Sequence, residues 1–489
     1  MSDRTRGLAN DRSVRSSNGR LPLVEPIEPA PDAGEIFLAL ADLPHVVFFD
    51  SARRDPQLGR YSFIAADPFD FFTCRDAEGN ALSEIATRLA PFVGERVPGL
   101  PSFQGGAAGV LSYELGRQLE DLPAPAFDEF AAPCAAVGFY DVVVACDHRA
   151  NQVWLISQGF PELEPAARHR RAADRLRAFR ERLKSLKPVP ASRRTCARST
   201  EAALNKASLA PHYSLPHSRE GLSNFSRDGY LRAVERVLAY IHAGDVFQVN
   251  LAQRLLHPAT DDTVSLYLRL RERNPATFAG YFDMGPMQVA SASPERFLQV
   301  EEGRVEARPI KGTRPRTAWP EADLFAGDEL RASEKDRAEN VMIVDLLRND
   351  LSRVCAPESV EVGQLCQVEV YQYVQHLVSQ IHGRLREDCG PVDLLRAAFP
   401  GGSITGAPKI RAMEIIAELE RVARGPYCGS LGYIGFDGTM DTNILIRTFV
   451  AARGWWQSHV GGGIVAQSSP EGEYEETWDK AAGLLRALA

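Results

Sequence analysis

The sequence predicts a mixed α/β protein, and three observations carry that expectation. Short runs rich in β-branched and aromatic residues fill the first half of the chain. Amphipathic helical periodicities take over from about residue 225, and further strand-like runs separate the last two helices. Strands interrupted irregularly by helices do not give the alternation of a doubly wound nucleotide binder, and no repeat of solenoid type is present. With 489 residues, 44% apolar and 25% charged, the chain can fill two ordinary domains or one large composite one.

Taken in order, residues 1–20 are polar and rich in Arg, Ser and Asn, so they predict a disordered tail. Their five arginines are followed by no apolar stretch, which argues against a secretory signal. Strands are expected at His45–Phe49, Tyr61–Ile64, Phe139–Ala145 and Val153–Ile156, and an exposed Arg/Glu-rich helix at 163–186. From Lys187 to Asn224 the pattern dissolves into Pro, Ser, Arg and His. This reads as a linker between an amino-terminal domain (21–186) and a second domain (225–489). Ser226 then caps a helix carrying Leu231, Val234, Leu238 and Ile241, which Gly244 ends. Ser333 opens another, with Asp336 in a capping-box relation. A third starts near Pro408 and is expected to turn Ile410, Met413, Ile416 and Leu419 inward. The last, from about Glu473, is expected to bury Tyr474, Trp478, Ala481, Leu485 and Leu488. Between these two helices, strands are expected at Asn443–Ala451 and Ser458–Val465.

The charge balance narrows the function classes. Fifty-six basic against 64 acidic side chains, net −8, leave no basic footprint for nucleic acid or anionic lipid. No apolar run of about 18 residues could span a membrane. Eight cysteines stand singly, without a Cys-x-x-Cys pair, which predicts reduced thiols in the cytoplasm in place of a zinc site or disulfide framework.

The final helix holds the strongest chemical signal. Glu473, Glu476 and Lys480 fall at i, i+3 and i+7 and share a face, while Glu475 and Asp479 point elsewhere. Two carboxylates one turn apart could hold a hard divalent cation; equally, they could form a solvated acidic face. Glu339 could add a carboxylate from another helix, or pair with Arg337. The stretch Pro400-Gly401-Gly402-Ser403-Ile404-Thr405-Gly406-Ala407-Pro408-Lys409 leads into a helix N-terminus suited to an anionic ligand, although a tight turn explains it as well. It lacks the order of a phosphate-binding P-loop. Lys311, between Ile310 and Gly312, is either surface punctuation or, if buried, a usable nucleophile.

Read together, the motifs resemble the chorismate-utilising enzymes, which include anthranilate synthase component I, aminodeoxychorismate synthase component I, isochorismate synthase and salicylate synthase. The matching strings are Ser293-Pro294-Glu295-Arg296-Phe297, Pro309-Ile310-Lys311-Gly312-Thr313, Asp336-Arg337-Ala338-Glu339-Asn340 through Asp350, Pro400 to Lys409, and Glu473-Tyr474-Glu475-Glu476-Thr477. They follow the family's order over residues 225–489, with weaker likeness at Gly59–Ser62 and Phe103–Tyr113. The resemblance implies a layered sandwich of two large mixed sheets with helices outside, and a site between sheet edges and the carboxy-terminal helix. It also implies that Glu339 and Glu476 bind magnesium, with Glu473 and Asp336 close by. Arg447 and Tyr427 would hold the enolpyruvyl carboxylate, helped by the backbone of Gly461, Gly462 and Gly463. His376, Thr405, Thr313 and Lys480 match other pocket positions. Chorismate is a small dianion, so cationic partners and backbone donors must replace its water.

Two positions discriminate within the family. Lysine at 311 resembles the aminodeoxychorismate enzymes, where C2-aminating and water-adding relatives typically carry alanine. Gln248 stands where water-adding relatives carry a lysine base, and glutamine cannot serve as one. The implied reaction is amination of chorismate at C4: Glu295 is the general acid, and Lys311 adds at C2 before ammonia displaces it. Burial near the metal is expected to keep that lysine neutral. No Gly-x-Cys-x-Gly turn is present, so ammonia is expected from a separate glutamine amidotransferase subunit. The lyase that would complete 4-aminobenzoate for folate is expected on another chain. The rivals are an anthranilate synthase component I and a catalytically silent chorismate-binding homologue. Retention of Glu295, Glu339, Glu473 and Glu476 argues against the second.

Overall fold

The computed structural model describes residues 21–54, 58–75, 79–194, 202–215, 220–316, 319–370 and 374–488. The tail 1–20 and Cys196 lie outside them. Two large sheets form the frame, one of 13 strands and one of 10, with helices outside. Mixed sheets were expected, but every strand ladder among the described residues is antiparallel. The reason is connectivity. Many sequential strands are joined by tight turns, such as Met287–Ser291 after Ala279–Asp283, whereas parallel neighbours need long crossovers.

The segments before and after 187–224 are interleaved in both sheets. In the larger sheet the strand Val47–Asp50 pairs with Ala279–Asp283; in the smaller, Gly106–Leu111 pairs with Ser430–Gly435. Within 187–224 itself, Tyr213–Ser214 and Leu222–Ser223 add the last two strands of the larger sheet. The chain thus builds its core from both segments at once. Phe37, Phe48, Tyr267, Tyr281 and Trp456 are fully enclosed, each aromatic stabilising the fold by roughly 1.5–3 kcal/mol through burial.

Two expected strands are each split by a change of sheet. The run at 139–145 divides into Ala135–Tyr140 in the smaller sheet and Val142–Asp147 in the larger. Asp141 sits at the corner, buried, with Arg175 at 3.2 Å and Arg171 at 3.7 Å. Burial raises its carboxyl pKa, and the two guanidiniums oppose this. The run at 443–451 likewise divides into Met440–Asn443 and Thr448–Ala452, with Arg447 at φ 51° in the gap. Such a corner consumes few residues, so it leaves the apolar pattern intact and the sequence reads straight through it.

The helix at Lys409–Glu420 corrects a further expectation. Ala412, Met413, Ile415 and Ile416 are buried, but Ile410 in the first turn is 43% exposed, because at about 100° per residue it falls on the side of the helix opposite that buried face. Glu420 ends that helix and meets Arg424 at 2.6 Å with both side chains enclosed. Arg424 also donates to the carbonyls of Ile404 (3.1 Å) and Asn250 (2.7 Å), and Glu420 accepts from the Ala252 amide at 2.8 Å. Removing one member strands a buried charge. Glu420→Ala should therefore lower the unfolding free energy by about 3–5 kcal/mol in urea titrations. The double variant Glu420→Leu/Arg424→Met should lose less; a single-variant loss under about 1 kcal/mol would mean the pair contributes like a surface bridge.

Candidate functional site

The final helix, Pro470–Leu488, packs on the strand Trp455–Ile464, with Gly462 of that strand facing its carboxylates. A Cβ on Gly462 would lie 3.1 Å from both Glu473 Oε2 and Glu476 Oε1. A Cβ on Gly461 would stand 2.2 Å from the Leu251 carbonyl oxygen. Only glycine lets the strand approach this closely while leaving room above it for two carboxylates.

The helix is not turned as its apolar stripe suggested. Glu473, Thr477, Ala481, Leu484 and Ala487 form the most buried face, while Tyr474, Trp478, Leu485 and Leu488 are half-buried against the core. Of the expected set, only Ala481 is fully enclosed. The helix is covered on two sides, by the sheet and by neighbouring helices, so its acidic face is no solvated surface. Glu475 and Asp479, off the shared face, are exposed.

Glu473 is 3% exposed. Its Oε1 accepts from Ser468 Oγ (2.5 Å) and Lys335 Nζ (3.3 Å), while Oε2 is buried without a hydrogen-bond partner among the described residues. Lys480 Nζ lies 2.6 Å from Glu476 Oε1 and donates to the Gly461 carbonyl at 2.8 Å. Burial alone would raise the Glu476 carboxyl, but Lys480, together with Lys335 and Lys311, outweighs it and holds the group below the usual carboxylate range. Glu339 lies half-buried on the helix Glu334–Ser352. Burial raises its pKa, against the attraction of Lys311 and Lys335 and with the repulsion of Asp336 and Glu473. Asp336 instead pairs with Arg314 at 3.6 Å.

No three His, Cys, Asp or Glu side chains converge on one point among the described residues. The donor set is therefore two carboxylates at Gly462 with a third, Glu339, within electrostatic reach. That suits magnesium, which commonly takes one or two carboxylates and keeps several waters. The unpartnered Glu473 Oε2 is the atom that fits such an ion.

Lys311 lies on the strand Ile310–Pro315, just before a bulge at Gly312, whose φ is 66°. A Cβ there would meet Leu330 at 2.7 Å and Asp336 at 2.9 Å, so glycine satisfies both the left-handed backbone and the close helix. Lys311 Nζ donates to the Ser403 carbonyl at 3.0 Å. Ser403 Oγ donates to Glu295 Oε1 at 3.1 Å. Burial pushes the Glu295 carboxyl up to about 7, while Lys311, Ser403, the Ile310 amide and Lys480 pull the other way. A carboxyl in that range can give a proton near neutral pH.

The remaining expected residues are placed as follows. Arg447 stands in the corner between the sheets, where its carbonyl accepts from the Ala292 amide at 3.1 Å while its guanidinium has no hydrogen-bond partner among the described residues; burial lowers its pKa, with Glu295 opposing. His376 is buried, and its imidazole is pushed down to about 4 by burial and by the charges of Arg447 and Arg53, so it is neutral. The Thr405 hydroxyl is enclosed and donates to the Gly401 carbonyl at 3.1 Å. Tyr427 stacks on His459 with ring centroids 4.9 Å apart. The Thr313 side chain lies outside the described residues. Gln248 is wholly buried against Gly463, and neither atom of its amide has a partner among the described residues. The sequence reading assigned nothing to Lys335, Ser468, Asn250, Arg424 or His459. Only Ser403 carried a signal, its place in the Gly-rich stretch. A cavity of about 680 Å³ lies elsewhere, lined by Asp50, Tyr61, Arg296 and Tyr433 and by none of the carboxylates above.

Residues 47–486 match the family described as chorismate binding enzyme. Over 474 residues the chain is 40% identical to aminodeoxychorismate synthase component 1 of Salmonella typhimurium, covering 94% of this chain and 96% of that one. It is 43% identical over 469 residues to anthranilate synthase component 1 of Thermus thermophilus, covering 92% and 94%. The crystal structure of anthranilate synthase component I from Streptococcus pneumoniae TIGR4 superposes with a TM-score of 0.72 at 28% identity, covering 88% of this chain and 93% of that one.

Proposed function

This chain belongs to the chorismate-binding enzyme family, and within it we propose that it aminates chorismate at C4 to give 4-amino-4-deoxychorismate. The observation that carries this reading is the lysine at 311, joined through one serine to a carboxyl whose pKa lies near 7. Similarity alone does not separate the two aminations, since relatives of both names match about equally well.

Glu295 in its acid form protonates the C4 hydroxyl, which leaves as water. Lys311, once it has given up its proton, forms a bond from its amine to C2 as the ring double bonds shift and the C4–O bond breaks. Ammonia then bonds to C4 and gives a proton to the Glu295 carboxylate, the double bonds shift back, and Lys311 departs as its amine. Arg447, whose guanidinium has no hydrogen-bond partner among the described residues, binds a substrate carboxylate, and the neutral His376 lines the pocket without adding charge. Glu473 and Glu476, with Glu339 nearby, would hold magnesium, whose chemistry is to neutralise the ring carboxylate and orient the ring. Ammonia comes from a glutamine amidotransferase subunit on another chain, and the product feeds 4-aminobenzoate and folate synthesis in the cytoplasm.

The test is product identification. Purified chain with chorismate, magnesium and ammonium should give the C4 amine by NMR, and glutamine in place of ammonium should give no turnover. Anthranilate, or an amine at C2, overturns the C4 assignment; glutamine-dependent turnover by the isolated chain overturns the partner assignment.

A further inference from the structure

We propose that Ser403 is a positioning residue that holds the acid Glu295 and the nucleophile Lys311 in register, its hydroxyl on one and its carbonyl on the other. The proposal rests on the amination mechanism above. Ser403 is 6% exposed and sits in the short turn Gly402–Ile404. Its Oγ donates to Glu295 Oε1 at 3.1 Å, and its carbonyl accepts from Lys311 Nζ at 3.0 Å. Glu295 lies just before the strand Arg296–Glu301 and Lys311 on the strand Ile310–Pro315, and no other residue is hydrogen-bonded to both side chains among the described residues.

The turn that presents Ser403 is fixed from every side. The Ile404 carbonyl accepts from Arg424, itself locked by Glu420. The Thr405 carbonyl accepts from the Asn250 amide at 2.8 Å, and the Thr405 hydroxyl closes back on Gly401. Asn250 Nδ2 shares the Ser403 carbonyl with Lys311 at 3.4 Å. A carbonyl so held cannot follow a drifting lysine. It sets where the amine waits, and the hydroxyl on the same residue sets which Glu295 oxygen is occupied. The Ile310 amide acts on the same carboxyl, so Ser403 is one of two fixed donors that orient it. Misplacement of reacting groups by about 1 Å can cost on the order of 100-fold in rate, so a shared anchor for acid and nucleophile has a kinetic consequence.

The hydroxyl also has a titration signature. A hydrogen bond donated to a carboxylate favours the charged form. Other groups acting on Glu295 are Lys311 on its strand, Lys480 on the final helix, Arg447 in the corner and Cys428 before the strand Ser430–Gly435. All remain in Ser403→Ala. Removing the hydroxyl should therefore raise the Glu295 pKa, keep it protonated to higher pH, and move the descending limb of kcat/KM upward.

The experiment measures pH profiles of ammonium-dependent turnover for wild type, Ser403→Ala and Ser403→Thr, with thermal unfolding checked for each. Wild type should lose activity as pH rises through about 7, where Glu295 gives up its proton. Ser403→Ala should lose roughly 10- to 100-fold in kcat with little change in KM, and its limb should rise by roughly one pH unit. Ser403→Thr keeps a hydroxyl and should keep the wild-type limb. An unmoved limb in Ser403→Ala overturns the proposal, whether kcat is unchanged or falls equally in both variants. Products are identified in the same reactions, so a wild type that aminates C2 removes the C4 assignment while leaving the Ser403 result readable.

Discussion

Lys311→Ala should reduce formation of 4-amino-4-deoxychorismate by about 1,000-fold or more, the loss expected when a covalent nucleophile is removed. The side chain is half-buried and, among the described residues, its amine is hydrogen-bonded to a turn carbonyl alone, so the fold has little reason to change. With C2 no longer occupied by an amine, residual ammonia addition should shift toward C2 and 2-amino-2-deoxyisochorismate. Anthranilate need not follow, because eliminating pyruvate requires more than this one position. A purely electrostatic lysine predicts a different pattern. Lys311→Arg would then retain most activity, and Lys311→Ala would weaken chorismate binding without changing the aminated carbon. Intact-protein mass spectrometry of wild type with chorismate and magnesium, and no ammonia, tests the adduct directly. The expected mass gain is chorismate less one water. No trappable adduct, together with unchanged C4 chemistry in Lys311→Ala, would remove the covalent role.

Glu476→Gln should abolish turnover, by roughly 100-fold or more, and leave the fold intact. Glutamine is a good helix former, and position 476 lies off the most buried face of the helix. What is lost is a charge that Lys480 keeps ionised at 2.6 Å, beside the unpartnered oxygen of Glu473. Helix content by circular dichroism should match wild type, while calorimetric titration with magnesium should show weakened binding. Near-normal activity at low magnesium would mean that Glu476 serves only as the partner of Lys480.

Much of the site is legible locally. Helical spacing places Glu473, Glu476 and Lys480 on one face, and Ser226 and Ser333 cap the helices expected of them, each accepting from the amide three residues on. These are short-range consequences of 3.6-residue periodicity and of unsatisfied amides at helix ends. The two split strands were not legible, because a corner at Asp141 or Arg447 preserves apolar alternation while sending the chain to the other sheet. The rotation of the final helix was missed for a related reason. Its apolar stripe marks one buried face, but a helix covered on two sides also buries polar groups when each finds a partner.

By itself, then, the sequence determined the motif residues, their order, the family they resemble and the helix faces they occupy. The tertiary structure alone decided what each charge meets. Lys335 reaches Glu473 across 138 positions, Ser403 reaches Glu295 across 108 and Lys311 across 92. A carboxyl's chemistry depends on its burial and its nearest charges, and both are set by which strands pair. Glu295 and Glu476 are chemically identical side chains in the sequence. The first is enclosed away from a direct ion pair and titrates near 7, while the second faces Lys480 and stays ionised. That difference is what makes one an acid and the other an anionic ligand, and only the packing of sheet, helix and turn creates it.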